Sequence, residues 1–512
     1  MTFPVLLSIF LLPTIGIPFV YFAGKKNPKY AALLIALISI ANIVLLLTTV
    51  PAVLNNPDHR YVEPYSWISI VNANFDLFVD GISLSIALIS LVLILVAAVF
   101  SINYMAGKKN LAAYYALLCM LSIGLVGVFI TANLLLFYFC WELMLIPAYF
   151  IIGGWGYKSS YRAAFKFLIF THAGAVFVLL GIGAIYTVTG QTDMFAAQAA
   201  LASASPDIIK LLLIALTAGF AVKMAVVPVH MWLPDAHSEA PATMSALLSG
   251  VIISAGAYAI LRLSIGMVFP ALGVAGAGFG TAFLHGLAIV GVVTAFFGST
   301  IALVETDIKR LIAYSSIAHM GYIMFGLSLF PASYAVGTAV ILASATAITG
   351  TVLHIITHAV SKGLFFLSAG SVMHQTEKRD IREMGGLASK IPFTAVSGTV
   401  SALSIAGTPP FACFISEVLI FVGAFQVIGV DSFYAVPTVL MLVATVVSLA
   451  YALRFTSRVF LGPPQSSNGE EKKIFDVPNY MKISLAVLVV LVILIGVYPT
   501  FFLNLIQTVR FG

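Results

Sequence analysis

The chain has 512 residues, of which 61% are hydrophobic and 9% charged, and its mean hydropathy is +1.08. A soluble globular domain carries about 25% charged residues, so that class is excluded, and with it the reading of the +6 net charge as a nucleic-acid footprint. The three cysteines, Cys119, Cys140 and Cys413, lie singly in apolar runs, which argues against a disulfide framework or an iron–sulfur cluster.

Apolar runs of about 18 residues or more mark membrane helices, and they recur along the whole chain. The opening MTFPVLLSIFLLPTIGIPFVYFAG lacks a basic leader and reads as the first membrane helix, not as a removed signal peptide. Fourteen spans are predicted, at 3–23, 30–52, 78–105, 111–130, 132–155, 163–189, 208–240, 242–264, 279–303, 309–329, 333–372, 393–428, 434–460 and 481–506. The fold class is thus an all-α polytopic membrane protein with about 14 transmembrane helices. The longest polar stretches are 53–75, 373–391 and 462–480.

Loop lysines and arginines sort sharply with this count. With the N-terminus outside, 19 of them fall on one face, among them Lys25, Lys108, Lys309, Arg379, Lys472 and Lys473. Only Arg60, Lys210, Arg262 and Arg510 fall on the other. The positive-inside rule then places both termini outside in a multi-pass protein of the cell (plasma) membrane.

Spans 208–240, 333–372 and 393–428 are too long for one straight crossing. The first holds Pro228 and Pro234, the last Pro409-Pro410. Proline removes a helix hydrogen bond, and in a membrane the freed groups need protein or water partners. The breaks fall in spans 7 and 12, five apart, as a five-helix repeat requires, and paired broken helices mark transport sites near the midplane. The chain divides accordingly into N-terminal helices 1–3 (1–110), a first half with helices 4–8 (111–264), a second half with helices 9–13 (279–460), and a cytoplasmic loop with helix 14 (461–512).

Four charges stand inside apolar runs: Glu142, Lys223, Lys362 and Glu417. Each costs roughly 2.5–3.5 kcal/mol at the bilayer centre, so such residues persist where they pair or line an ion path. Glu142 reads as a proton-carrying or pair-forming carboxylate, or else as a protonated glutamate capped by a hydroxyl. Lys223 lies five residues before Pro228, too deep to snorkel, and a buried lysine can exchange its proton. His230, Asp235, His237 and Glu239 follow it, either continuing the path or forming a hydrated loop with a helix cap; no HExxH spacing appears. His354, His358 and Lys362 stand at i, i+4 and i+8, one stripe of one helix, which favours a proton relay. A metal site is less favoured, since no carboxylate or thiolate shares the stripe. Glu417 follows the Pro-Pro break, and His319 lies mid-span in helix 10. His172 and His285 read as core histidines, and Glu305, Asp307, Lys309 and Arg310 as a solvated ionic cluster at the membrane edge. No Walker A, GxGxxG, haem or flavin signature occurs, so no cofactor is expected in this chain and no nucleotide hydrolysis.

The strings VDGISL, WELMLIPAYF, KMAVVPVHMWLPDAHSEAP, ETDIKRLIAYSSIAHMGY, THAVSKGLFFLSAGSV and GTPPFACFISE, in this order over nearly the whole chain, closely resemble the antiporter-like subunits of respiratory complex I and its relatives. Those relatives include archaeal deazaflavin dehydrogenases, membrane-bound hydrogenases and Mrp sodium/proton antiporters. The resemblance implies two inverted five-helix units, broken helices 7 and 12, and proton translocation without a bound cofactor. Glu142 matches the helix-5 glutamate and Lys223 the helix-7 lysine, and the resemblance places these two close enough to pair. Lys362 matches a helix-11 lysine found in part of the family, and Glu417 the helix-12 glutamate typical of the M-type (chain-4 type) subunit. The chain ends after span 14, without the lateral helix of the L-type. One departure stands out: where family members commonly carry a helix-8 lysine, this chain has Ser254 in ISAGAYAILR.

The reading that follows is a proton-translocating membrane subunit, with Glu142, Lys223, His230, His319, His354, His358, Lys362 and Glu417 carrying the protons. It holds no redox centre itself. Its implied partners are other antiporter-like and small membrane subunits, peripheral iron–sulfur redox subunits and the lipid bilayer, with no nucleic acid. The alternatives are a subunit of an Mrp-type sodium/proton antiporter and a scaffold chain with a vestigial channel.

Overall fold

In a bilayer the backbone polar groups have only each other as partners, so apolar runs without breakers become long helices. A computed structural model describes residues 3–71, 73–330, 338–463 and 474–509. Lys472, Lys473, Arg510 and the first residues of predicted span 11, 333–337, lie outside the described residues. The first six crossings are α1 (Val5–Lys26), α2 (Pro28–Asn55), α3 (Gly81–Tyr104), α4 (Leu111–Ile130), α5 (Leu134–Trp155) and α6 (Ser160–Thr189). Next, α7 comes in two pieces, Pro206–Met224 and Leu233–Glu239. Continuous helices follow: α8 (Ala242–Leu272), α9 (Val274–Val304), α10 (Ile308–Ser328) and α11 (Thr338–Thr376). The twelfth crossing, α12, is again divided, into Pro392–Ile405 and Ala412–Ile428, and α13 (Ser432–Leu461) and α14 (Asn479–Val497) complete the set.

Of these crossings, 12 are long and apolar enough to span a membrane as single helices. The other two are the pair with breaks, so the count of about 14 is met. Of the three over-long spans, the two with proline divide and the one without it stays a single helix. The predicted last span, 481–506, is too long at its end. Its helix stops at Val497, before Pro499, and a short helix, Thr500–Ile506, follows.

The most apolar stretches of α8 and α11 are wholly buried and that of α10 nearly so, while that of α1 lies mostly outward. The axis of the molecule is therefore α8–α10–α11. α9 and α10 touch backbone to backbone: a Cβ on Gly321 would stand 2.4 Å from the Ala295 nitrogen. Small residues at such crossings are the membrane route to close packing. α8 is not regular, having π-helical turns at Leu248–Ile252 and Ile260–Val268 on either side of Ser254. Such turns frequently accompany functional sites.

The polar stretch after α2 departs from an all-helical chain. It folds into two small antiparallel pairs, β1 (Tyr61–Glu63) with β4 (Leu77–Val79) and β2 (Ser66–Ile68) with β3 (Ala73–Asn74). Glu63 accepts from the backbone N–H groups of Leu6 and Leu7 and from the hydroxyls of Tyr61 and Tyr65, tying this loop to α1. Partial burial, then the Glu63 carboxylate, pushes both phenols up to about 12.

Where this loop enters α3, Asp80 caps the helix through Ile82 and Ser83. Its other oxygen lies 2.6 Å from Nη2 of Arg262 on α8, with both side chains buried. The charges are paired although the Arg262 N–H is not aimed along the contact. Removing one partner of a buried pair leaves an uncompensated charge and costs about 3–5 kcal/mol. Arg262→Met should accordingly lower the thermal melting temperature of the detergent-solubilised protein. Adding Asp80→Asn, which keeps the cap, should recover part of the loss. An unchanged melting curve for Arg262→Met would show that the pair holds nothing together.

Candidate functional site

The first break places Lys223. The helix runs to Met224, then Ala225 turns left-handed (φ 60°, ψ 46°) and ends it. The freed backbone groups find protein partners, as a membrane demands. Trp232 Nε1 donates to the Val222 carbonyl at 2.9 Å, and Val227 N–H donates to Thr294 Oγ1 of α9 at 3.1 Å. Lys223, 2% exposed, donates from Nζ to the Trp141 carbonyl at 2.9 Å and sits 3.7 Å above the centroid of the Trp141 indole. That is a cation–π seat with the ammonium otherwise shielded.

Glu142 is the next residue on α5, at a one-residue interruption of the helix at Met144. The expected direct pair with Lys223 does not form. Glu142 Oε2 instead meets His172 Nδ1 of α6 at 3.3 Å, and its Oε1 is buried with no partner. The cause is geometric: at position 142 the carboxylate points to the α6 flank, while the carbonyl of 141 points inward at the lysine. His172 is therefore not a core histidine, for its side chain is 58% exposed. Nor is His285, whose Nε2 meets Asp431 Oδ2 at 2.7 Å while the ring stacks on Phe433.

The second half brings the histidines together. His354, His358 and Lys362 all lie on the wholly buried stretch of α11, as their spacing predicts. His319 of α10 joins them, its Nδ1 3.0 Å from His354 Nε2 and its Nε2 3.4 Å from the Tyr451 hydroxyl. His354 Nδ1 in turn reaches Ser416 Oγ at 2.9 Å, beside Glu417 on α12. His358 lies 5.6 Å from His319 ring to ring, and neither of its nitrogens has a hydrogen-bond partner among the described residues. Lys362 Nζ donates to Ser315 Oγ and to the Ile312 carbonyl of α10.

The Pro-Pro break positions Glu417. Gly407 turns left-handed there, and a Cβ on it would stand 2.2 Å from Glu417 Oε2, so only glycine lets the loop lie on the carboxylate. Both breaks contain a cis X–Pro bond, Val227–Pro228 and Pro409–Pro410. No carboxylate lies on the α11 stripe itself, but α12 delivers one to it: ligand atoms of His319, His354 and Glu417 lie within 4.8 Å of one another. Sequence spacing on α11 cannot register a group delivered from α12. His319 and His354 are hydrogen-bonded to each other, the arrangement that hands a proton from ring to ring.

His230 stands apart from this cluster. It is 6% exposed, with its ring 4.6 Å from that of Phe297 on α9. Neither the α7 tail nor the membrane-edge cluster is a freely solvated loop. His237 is fully buried, and Asp235 and Glu239 join a half-buried network. Asp235 meets Lys166 at 2.7 Å and Arg310 at 3.0 Å. Arg379 meets Asp307 at 2.7 Å and Glu239 at 3.3 Å. Lys309 departs most: it is 0% exposed, because α7 folds over it, and its Nζ donates to the Ala240 carbonyl. Ser254 is buried with its hydroxyl unpartnered.

A sequence profile of the family described as NADH:quinone oxidoreductase/Mrp antiporter, TM, matches residues 131–448, which contain Glu142, Lys223, His230, His319, His354, His358, Lys362 and Glu417. The chain belongs to that family. Members similar to it along nearly their whole length include NADH-quinone oxidoreductase subunit M of Pseudomonas aeruginosa, 31% identical over 96% of this chain and 94% of that protein. Subunit M of Rhodobacter capsulatus is 32% identical over 94% and 90%. Among solved structures, a chain of the membrane-bound sulfane sulfur reductase, an archaeal respiratory membrane complex, superposes with a TM-score of 0.82 at 27% identity, covering 97% of this chain and 76% of that one. A chain of respiratory complex I from Thermus thermophilus superposes at 0.81 and 21% identity, covering 98% of both. A chain of the Mrp complex from Dietzia sp. DQ12-45-1b also superposes at 0.81 and 21% identity, covering 99% and 97%. The last two likenesses establish the fold, that of the complex I antiporter-like subunits.

Proposed function

We propose that this member of the antiporter family carries protons across the cell membrane as the M-type subunit of a redox-driven complex. The observation that carries the reading is the buried chain of Lys362, His358, His319, His354 and Glu417, which no structural need explains. A core costs less without such groups. Full-length similarity to proteins named as subunit M supports assembly with other membrane subunits and with redox subunits that supply the driving reaction. The two halves, 111–264 and 279–460, each contribute one broken helix and a buried lysine within an apolar run, Lys223 in the first and Lys362 in the second. Glu142 and the half-exposed His172 lie on the outer flank, open to contact with a neighbouring membrane subunit. The test is proton uptake per electron in vesicles holding the intact complex, compared between the native chain and variants at matched complex content.

Charge sorting supports an orientation with both termini outside. Glu383→Cys, in the loop after α11, should react with an impermeant maleimide from the cytoplasmic side, and Asn56→Cys, after α2, from the outside. Both sites are exposed, and the native cysteines are buried, which keeps the background low. Labelling of Asn56→Cys from the cytoplasm would overturn the orientation.

A further inference from the structure

We propose that Lys362 receives its protons from the cytoplasmic face through His237, by a short inlet between α7, α10 and α11 that bypasses Lys223. The inference rests on the proton-carrying function proposed above and names its inlet.

α8 runs between the halves, yet it offers no acidic or basic side chain before Arg262. Its mid-helix Ser254 is buried and unpartnered, so no charged group on this helix relays from Lys223 to Lys362. His237 is placed to do otherwise. It is 0% exposed, and neither ring nitrogen has a hydrogen-bond partner among the described residues. Buried polar atoms are rarely left bare; water or an exchanging group satisfies them. The ring stacks 5.0 Å from that of Phe366, one turn beyond Lys362 on α11. It stands in the field of both the Lys309 and the Lys362 ammonium groups, and His358 stands in the field of His237.

On the cytoplasmic side the route begins in a cavity of about 440 Å³ lined by Tyr104, Tyr157, Pro241 and Arg379. Lys309 lies directly behind it. Its Nζ is 5.4 Å from the Tyr157 ring centroid and bonded to the carbonyl of Ala240, three residues on from His237. Lys309 acts here as a positioning residue, holding the end of α7 closed over the imidazole. The transfer balances simply. A proton from cavity water binds the bare nitrogen of neutral His237, the proton on the other nitrogen passes to the neutral amine of Lys362, and the ring returns to neutral.

The test uses the intact complex in inverted membrane vesicles. His237→Ala should slow proton uptake about tenfold or more, since a positioned acid–base group is worth at least that. Millimolar imidazole should restore uptake in His237→Ala and leave Lys362→Met inactive. Should His237→Ala fail to assemble, His237→Asn, which keeps size and polarity, is measured in its place and should show the same loss. Native uptake by His237→Ala, or by His237→Asn where that is the variant measured, while Lys362→Met is inactive, overturns the inlet and leaves the proposed function standing. Native uptake by both that variant and Lys362→Met overturns the proposed function itself. Loss in His237→Ala that imidazole does not relieve shows that the residue only shapes the fold, and also overturns the inlet.

Discussion

An assembled complex carrying Lys362→Met should keep its electron transfer and lose most of the proton movement due to this chain, about tenfold or more if the lysine is an obligate acid–base group. Lys362 has no carboxylate within ion-pair distance among the described residues; a hydroxyl, Ser315, and a carbonyl, Ile312, receive its ammonium. Neither partner fixes the charge as a carboxylate would. A buried lysine so held exchanges its proton readily, and one pKa unit of altered field corresponds to about 1.4 kcal/mol. A movement of charge at His358 or Glu417 thus suffices to load or unload it. Methionine fills the volume of the lysine stem and removes only the charge, so assembly is spared better than with alanine. The measurement is proton uptake per electron at matched complex content. An unchanged ratio would remove Lys362 from the path.

Much of this axis was legible in the sequence, and the reason is physical. Charges inside apolar runs are costly, so Glu142, Lys223, Lys362 and Glu417 announced themselves. Proline inside a long span announced the two breaks. Helical spacing put His354, His358 and Lys362 on one stripe, and α11 buries that stripe as expected. What failed was contact across helices. Lys223 is held by a backbone carbonyl and an indole face, and a carbonyl has no sequence signature. Residues one apart on a helix point in different directions, so the resemblance could place Glu142 near Lys223 without showing that its carboxylate turns to His172. The burial of Lys309 was hidden for a related reason. A charge run at a membrane edge reads as solvated, and only the folding of α7 over α10 removes the water. The Asp80–Arg262 pair joins residues far apart in the chain, each of which alone reads as a cap or a loop charge.

Arginine at position 223 separates a proton carrier from a fixed charge. Lys223 has a cation–π seat on Trp141 and one hydrogen bond to its carbonyl. An arginine satisfies both requirements, since guanidinium stacks on aromatic faces and donates to carbonyls. It does not release its proton at any accessible pH. Moving one charge through 100 mV takes about 2.3 kcal/mol, so the carrier must give up its proton at an energy of that order, which arginine cannot do. Proton uptake is therefore to be measured in vesicles holding equal amounts of native, Lys223→Arg and Lys223→Met complex, driven by the same electron flux. Both variants should assemble, and both should lose most of their proton uptake. Native uptake by Lys223→Arg, with loss in Lys223→Met, would contradict this and make the position a fixed charge.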